Sequence, residues 1–196
     1  MLSQVFLMRH GETAWSKSGQ HTGRTDLPLT GPGEQAARKL GESLRAIQFS
    51  RVLTSPRQRA QRTCELAGLG AKAEIEPDLA EWDYGDYGGL RSAEIFKMRP
   101  DWNLFRDGCP HGETPARVSD RADRLIGRLR ALEGNVAVFS HGHFGRVLAA
   151  RWNGLPVGTA QHFLLSTASL NILGYEHNNP AEPVIVRWNA GPPQSL

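Results

Sequence analysis

The chain has 196 residues, which is enough for one domain with a substantial buried core. Its 23 basic and 20 acidic residues are interspersed and give a formal net charge of +3. Without a block of like charge, this balance favours small anionic ligands over nucleic acid. Two cysteines without CxxC spacing favour a reducing cytoplasm. We expect neither an export signal nor a membrane span, and the oligomeric state stays open, a homodimer included.

The first predicted strand covers residues 5–8, an apolar run that ends before Gly11. Arg9 and His10 therefore lie where a strand passes into a loop. In an open parallel sheet the carboxyl ends of the strands border the ligand crevice, so an imidazole there can reach a bound molecule. An Arg-His pair alone is weak evidence of a functional site. A functional interpretation requires other segments to supply groups that could act on the same ligand.

The polar stretch 14–29 contains glycine and shows no helical period, so we predict a long ordered loop. Thr30 is then a predicted N-cap, and apolar residues at spacings of three and four up to Ile47 predict a helix packed on a sheet. Residues 31–36 match the G-x-G-x-x-G/A consensus of dinucleotide-binding proteins. They do not follow a hydrophobic strand, so we reject that interpretation.

A second strand is predicted at residues 52–54, followed by a helix with Ser55 as its N-cap. The free amides at the start of such a helix attract anions, and Arg57 in the first turn adds a positive charge. The alternative is that Arg57 belongs to a solvated basic face. A third strand at residues 73–76 places Glu81 just past another strand end.

The pattern is irregular over residues 83–112, with a short helix around residues 92–98, and such an excursion is typical of a lid or side wall. Regularity returns with a helix that Thr114 caps. We therefore predict that residues 1–196 form a single domain with a lid-like excursion at about 83–112.

The most apolar strand is predicted at residues 135–139, as expected for a central parallel strand. It leads to His141, the second strand-end histidine, and to a helix over residues 144–152. Two further strands, 170–175 and 184–188, are separated by a turn cluster. We expect them to pair antiparallel at one edge of the sheet.

These groups suit the transfer of a phosphoryl group. Cations such as Arg9 and Arg57 can bind its equatorial oxygens, a neutral imidazole can attack phosphorus, and a carboxylic acid can protonate the leaving oxygen. The GxSxG, Walker, HExxH and EF-hand patterns are missing from the sequence. His141 and His143 could contribute to a metal site, but the local sequence supplies no third ligand. We therefore expect no metal and no cofactor.

Five segments occur in a distinctive order along nearly the whole chain. They are Arg9-His10-Gly11-Glu12, Thr22-Gly23 before Asp26-x-Pro-Leu-Thr, Ser55-Pro-Arg-x-Arg-Ala-x-x-Thr63, Glu81 and Ser140-His-Gly142. This arrangement resembles the histidine phosphatase superfamily, which has the phosphoglycerate mutase-like fold. The resemblance implies an α/β three-layer sandwich in which a mostly parallel six-stranded sheet has an antiparallel edge strand and helices on both faces.

The resemblance also implies roles for individual residues. His10 is the expected phosphorylated nucleophile and Glu81 the expected proton donor, and further residues are expected to line the phosphate pocket: Arg9, Arg57 and His141. Substrate contacts are expected from Ser16, Thr22, Gly23, Gly142 and His143. Many members carry Asn at the position of Ser16. The first loop and the segments around Glu81 and Asp107 look most like the sedoheptulose-1,7-bisphosphatase-type branch.

The leading functional prediction is a phosphatase of carbohydrate metabolism that acts on a small phosphorylated substrate, a sugar phosphate or bisphosphate. The alternative is a cofactor-dependent phosphoglycerate mutase, which typically has a longer insertion after its acid than residues 82–111 of this chain. A noncatalytic binding protein is disfavoured because each position expected to carry chemistry is filled. Five cations could bind a second anion at the rim of the site or be ordinary surface charges: Lys17, Arg24, Lys97, Arg99 and His111.

Overall fold

The computed structural model describes Leu2 and residues 4–191. The strands are β1 (Val5–Arg9), β2 (Arg51–Thr54), β3 (Ala73–Ile75), β4 (Val136–Ser140), β5 (Leu170–Tyr175) and β6 (Pro183–Ala190). They form a six-stranded sheet in the order β3-β2-β4-β1-β5-β6. The first four strands of the chain are parallel, while β5 runs antiparallel to β1 and β6 antiparallel to β5. The predicted antiparallel pairing at one edge is confirmed.

Helices cover both faces of this sheet. They are α1 (Ala14–Ser18), α2 (Gly31–Leu44), α3 (Gln58–Leu66), α4 (Ser92–Met98), α5 (Leu104–Asp107), α6 (Pro115–Arg130) and α7 (Gly142–Trp152). Short 3₁₀ helices lie at Gly70–Lys72, Pro77–Leu79, Gly85–Tyr87, Val157–His162 and Glu176–Asn178. None of the helices in the described part of the chain is long and apolar enough to cross a lipid bilayer.

The core consists of two clusters, one on each face of the sheet. Phe6 and Met8 of β1 pack with apolar side chains of α2 and α3, whereas Val5 and Leu7 pack with those of α6 and α7. Alternate residues of a strand point to opposite faces, so an apolar run in β1 supplies both clusters. The result is the three-layer sandwich that the resemblance implied.

The register of the central strands brings the two strand-end histidines together. Arg9 of β1 pairs with Ser140 of β4, the last residues of adjacent parallel strands. The His10 amide then donates to the Ser140 carbonyl at 3.0 Å. Because the strands end side by side, the rings of His10 and His141 lie close together, with their centroids 5.2 Å apart.

Residues 14–18 form helix α1 where a loop was predicted, so that part of the prediction was wrong. Thr13 Oγ1 accepts from the Ser16 amide at 3.1 Å, and Ser16 Oγ accepts from the Thr13 amide at 2.8 Å. This reciprocal capping box stabilises a single helical turn without an apolar stripe. Gly19 ends the turn in the left-handed region, with φ of 80°.

Helix α3 also begins later than predicted, at Gln58, with Arg57 as its N-cap. The Gln58 amide donates to the Asp26 carboxylate at 3.0 Å. Asp26, from the first loop, thus occupies the helix start that the sequence had suggested as a phosphate site. Long-range pairing of this kind is invisible to a local capping pattern.

Residues 83–112 form an irregular segment that contains α4, as predicted, and α5. Trp102 and Phe105 of this segment are buried in the cluster on the α6 and α7 face. Tyr84 and Ser92 contribute to the wall of the cavity described below. A lid function for this segment stays a prediction.

Candidate active site

A cavity of about 240 Å³ lies at the carboxyl ends of β1 and β4. Most of the residues expected at the site line it: Arg9, His10, Ser16, Thr22, Glu81, Gly142 and His143. Gly23, Arg57 and His141 do not lie on its wall. Nine wall residues had not been expected from the sequence, among them His21, Arg59, Tyr84 and Arg146.

His10 is held as a neutral imidazole. Its side chain is buried, and Nδ1 lies 2.7 Å from the Gly11 carbonyl oxygen, which can only accept a hydrogen bond. Nδ1 therefore carries the proton and Nε2 keeps its lone pair. Burial, followed by the charges of Arg59 and Arg9, lowers the pKa of His10 well below 6.5. The arrangement provides an uncharged nitrogen nucleophile near cationic groups.

Two glycines let the backbone approach these groups closely. A Cβ at Gly11 would lie 2.5 Å from the Gly33 carbonyl oxygen, so the loop after β1 fits against α2 only without a side chain. A Cβ at Gly142 would lie 3.2 Å from Cζ of Arg9. Glycine at these positions thus lets the loop after β1 approach α2 and lets the Arg9 guanidinium approach the start of α7.

Arg9 is a buried cation with unused donors. One of its guanidinium nitrogens donates to the Leu165 carbonyl, whereas Nε has no hydrogen-bond partner among the described residues. Burial lowers the pKa of Arg9, against the opposing effect of the Glu81 charge. An orphaned buried donor on the wall of a cavity favours an anionic ligand.

Arg59, not Arg57, is the arginine of α3 that lines the cavity. The Arg59 side chain is 0% exposed, and it donates to the carbonyls of Gly23 and Thr25, each at 2.9 Å. The sequence does contain a signal for this choice. Four residues of α3 are buried at helical spacing, namely Arg59, Ala60, Thr63 and Cys64. The face that packs on the sheet thus includes Arg59.

His141 lies behind Arg59. Its Nδ1 is 3.2 Å from Nε of Arg59, which can only donate, so Nδ1 accepts and Nε2 carries the proton. Nε2 donates to Ser55 Oγ at 2.7 Å. Burial, followed by the charge of Arg59, lowers the pKa of His141 well below 6.5. Both ring nitrogens are used, so His141 orients Arg59 and is not free to join His143 as a metal ligand.

Glu81 is held at the N-terminus of α7. Its carboxylate accepts the amides of Trp82 at 2.9 Å, Phe144 at 2.8 Å and His143 at 3.2 Å. Amides at a helix start are natural partners for a carboxylate. These hydrogen bonds fix the Glu81 carboxyl group in the cavity that His10 also lines.

Another cation, Arg146, also lines the cavity. It donates to the carbonyls of Ala160 at 3.0 Å and Gln161 at 2.7 Å, and its guanidinium lies 4.7 Å from the Phe105 ring centroid. No carboxylate among the described residues forms an ion pair with it. Arg146 lies one helical turn after Gly142 in α7, a spacing that could have indicated its direction.

Five cations that could bind a second anion at the rim of the site do not line the cavity: Lys17, Arg24, Lys97, Arg99 and His111. Arg24 forms an ion pair with Asp83 at 3.0 Å, and Arg99 with Asp107 at 3.4 Å. His111 likewise lies 2.8 Å from the Asp86 carboxylate. A second-anion role for the five cations stays a prediction, and these pairings favour the alternative of ordinary surface charges for Arg24, Arg99 and His111.

Comparison with known proteins agrees with this geometry. The chain matches the histidine phosphatase superfamily (branch 1) over residues 5–191 and belongs to that superfamily. An acid phosphatase of Mycobacterium tuberculosis is 43% identical in an alignment of 178 positions that covers 89% of this chain and 87% of that protein. Sedoheptulose 1,7-bisphosphatase of Saccharomyces cerevisiae is 35% identical, with 93% and 91% of the two chains covered.

A solved structure gives the same result for the fold. The product of an open reading frame of Mycobacterium tuberculosis superimposes with a TM-score of 0.90 at 39% identity, covering 96% of this chain and 98% of that chain. The predicted superfamily and fold are confirmed. The protein is a phosphoric monoester hydrolase, a phosphatase that acts on a small phosphorylated substrate.

Proposed function

We propose that this phosphatase hydrolyses phosphorylated sugars through a phosphohistidine at His10. The observation that carries the proposal is the hydrogen bond from His10 Nδ1 to the Gly11 carbonyl, which leaves Nε2 unprotonated. Arg9, Arg59 and Glu81 line the same cavity. A neutral nucleophile, two fixed cations and one carboxyl group are the groups that a two-step phosphoryl transfer needs.

In the first step, the phosphoryl group binds between Arg9 and Arg59, whose charges offset those of its equatorial oxygens. His10 Nε2 attacks phosphorus, forming the P–N bond while the P–O bond to the sugar breaks. The protonated form of Glu81 gives its proton to the leaving oxygen, because an alkoxide is a poor leaving group.

In the second step, water attacks the phosphorus of the phosphohistidine. Glu81, now a carboxylate, takes a proton from that water, and the P–N bond breaks to release inorganic phosphate. His10 returns to its neutral form. His141 orients Arg59 in both steps through the hydrogen bond to its Nε.

Arg146 supports a finer proposal, that the substrate carries a second acidic group. The charges that lower the pKa of His10 are those of Arg59 and Arg9, whereas Arg146 lowers the pKa of His143. Arg146 lines the same cavity as His10 but is not among the charges that act on His10, and burial lowers the pKa of Arg146. A buried cation without a carboxylate partner favours an anion, so we propose a sugar bisphosphate, in line with the name of the yeast relative.

The histidine step is tested by trapping. Enzyme mixed with labelled substrate and quenched should carry label that is stable in alkali and lost in acid, as expected for a phosphoramidate. A His10→Asn variant should carry no label. Acid-stable label on Ser or Cys would contradict the proposed nucleophile.

The substrate is tested by comparing sedoheptulose and fructose bisphosphates with their monophosphates. Arg146→Met should lower kcat/KM for the bisphosphates and largely spare p-nitrophenyl phosphate, which has no second anion. An unmodified enzyme that hydrolyses the monophosphates as fast as the bisphosphates would contradict a second anion site at Arg146. Rapid isomerisation of 3-phosphoglycerate with 2,3-bisphosphoglycerate present would favour the mutase alternative.

We also propose that the enzyme is cytoplasmic and that it binds neither nucleic acid nor a membrane. Cys64 and Cys109 are free and buried, and burial raises the pKa of each thiol to about 12. Unreactive, unpaired thiols support a reducing compartment. Fractionation of cells should find the enzyme with cytosolic markers.

A further inference from the structure

The segment that carries Glu81 has little secondary structure of its own. After the 3₁₀ helix Pro77–Leu79, residues 80–84 belong to neither a helix nor a strand. Its backbone polar groups must therefore find partners elsewhere. Several of these partners come from a single ion pair, Arg121 with Glu113, which does not line the cavity.

Arg121 of α6 holds the backbone before Glu81. Its side chain is only 11% exposed, and Nη1 donates to the carbonyls of Asp78 at 2.8 Å and Ala80 at 2.7 Å. The other side of the guanidinium binds the Glu113 carboxylate in a bidentate manner, at 2.9 and 2.7 Å. One planar group thus binds two carbonyls and a carboxylate, which requires the fork of an arginine.

Glu113 holds the backbone after Glu81. Its Oε2 accepts the Asp83 amide at 2.9 Å, and its own amide donates to the Asp83 carbonyl at 2.8 Å. The Glu113 carbonyl accepts Trp82 Nε1 at 3.0 Å. The ion pair therefore forms hydrogen bonds to the backbone on both sides of Glu81.

Arg121 also contacts the residue that binds the Glu81 carboxylate. Its guanidinium lies 4.2 Å from the Phe144 ring centroid, and the Phe144 amide donates to Glu81 Oε1. The backbone of Glu81 and the helix that receives its carboxylate are both packed against Arg121. A displacement of Arg121 would move the carboxyl group relative to His10.

We propose that Arg121 and Glu113 are positioning residues for the proton transfer by Glu81, which makes this inference dependent on the acid role proposed above. They act through the backbone of residues 78–83 and through Phe144. A merely structural role would slow all substrates alike. A positioning role selectively slows the substrates whose leaving group needs a proton.

The experiment measures phosphoenzyme formation in single turnovers with an alkyl phosphate and with p-nitrophenyl phosphate. The variants are Arg121→Lys and Glu113→Gln, with Glu81→Gln as the reference. Arg124→Gln is the matched control, because Arg124 lies on the same helix, is 58% exposed and, among the described residues, forms an ion pair only with the Asp78 carboxylate. Thermal unfolding is recorded for each variant.

Arg121→Lys should slow the alkyl phosphate by about 10²-fold, the usual cost of a 1 Å misplacement, and p-nitrophenyl phosphate much less. Combined with Glu81→Gln it should cause little further loss, because the two changes impair the same step. Glu113→Gln should behave in the same direction, and Arg124→Gln should match the unmodified enzyme with both substrates.

Equal slowing of both substrates by Arg121→Lys and Glu113→Gln would overturn the inference, as would additive losses in the double variant. The outcome for Glu81→Gln separates the two proposals. If that variant itself shows no dependence on the leaving group, the acid role fails and the inference fails with it. If it shows the dependence and Arg121→Lys does not, only the positioning inference fails.

Discussion

Lowering the pH from 7 towards 5 should destabilise the folded protein, because histidines of the site are buried in their neutral form. Burial and neighbouring charges hold the pKa values of His10, His141 and His143 well below 6.5. In the unfolded chain these imidazoles recover a pKa near 6.5 and take up protons. The unfolded state then binds more protons, so the free energy of unfolding falls as the pH falls below that value.

The expected effect is large. Each histidine that is neutral when folded and protonated when unfolded lowers the free energy of unfolding by about 1.4 kcal/mol per pH unit, so His10, His141 and His143 lower it by about 4 kcal/mol per unit. Burial also lowers the pKa of His21, which adds a smaller contribution in the same direction. Carboxylates contribute little between pH 5 and 6.5. The pKa of Asp107, lowered to about 2 mainly by Arg106, gives a contribution that is lost only below about pH 4. The slope in this window therefore reports the histidines.

Urea unfolding followed by tryptophan fluorescence at pH 7, 6, 5.5 and 5 measures this slope. His143→Gln should reduce the slope by about 1.4 kcal/mol per pH unit, since the unfolded chain takes up one proton fewer. His177→Gln is the matched control, because His177 is 76% exposed and lies far along the chain from the site. A free energy of unfolding that does not change between pH 7 and 5, or an unchanged slope in His143→Gln, would refute the reasoning.

Three further predictions concern activity. Arg59→Lys should lower kcat/KM by about 10²- to 10³-fold, and Arg57→Lys by much less, because of these two arginines only Arg59 lines the cavity. Steady-state kinetics in which Arg57→Lys has the larger effect would contradict this assignment. Gly142→Ala should lower kcat/KM, since the added Cβ would lie 3.2 Å from Cζ of Arg9. Gly31→Ala is the control and should leave kcat/KM unchanged, because a Cβ at Gly31 would have no neighbouring atom within 4 Å. Turnover should survive dialysis against EDTA, because arginines supply the charge that binds phosphate; loss restored by magnesium or zinc would show a metal requirement.

Much of the fold follows from local patterns in the sequence. The apolar run before Ser140 predicted a central strand because a strand covered on both faces tolerates few polar side chains. Thr30 and Thr114 predicted two helix starts because a hydroxyl can accept an amide within its own turn. The order of the motif segments predicted the superfamily, and His10 and Glu81 with it. These features depend on residues close together in the chain or on a residue's own chemistry.

Other features were decided only by the tertiary structure. The start of α3 depends on Asp26, which reaches Gln58 from a distant loop. The choice of Arg59 over Arg57 depends on which face of α3 meets the sheet. Arg121 acts on the Glu81 segment from another helix. In each case the partner is remote in sequence, so a local pattern identifies a charged or polar side chain but not the group that it binds after folding.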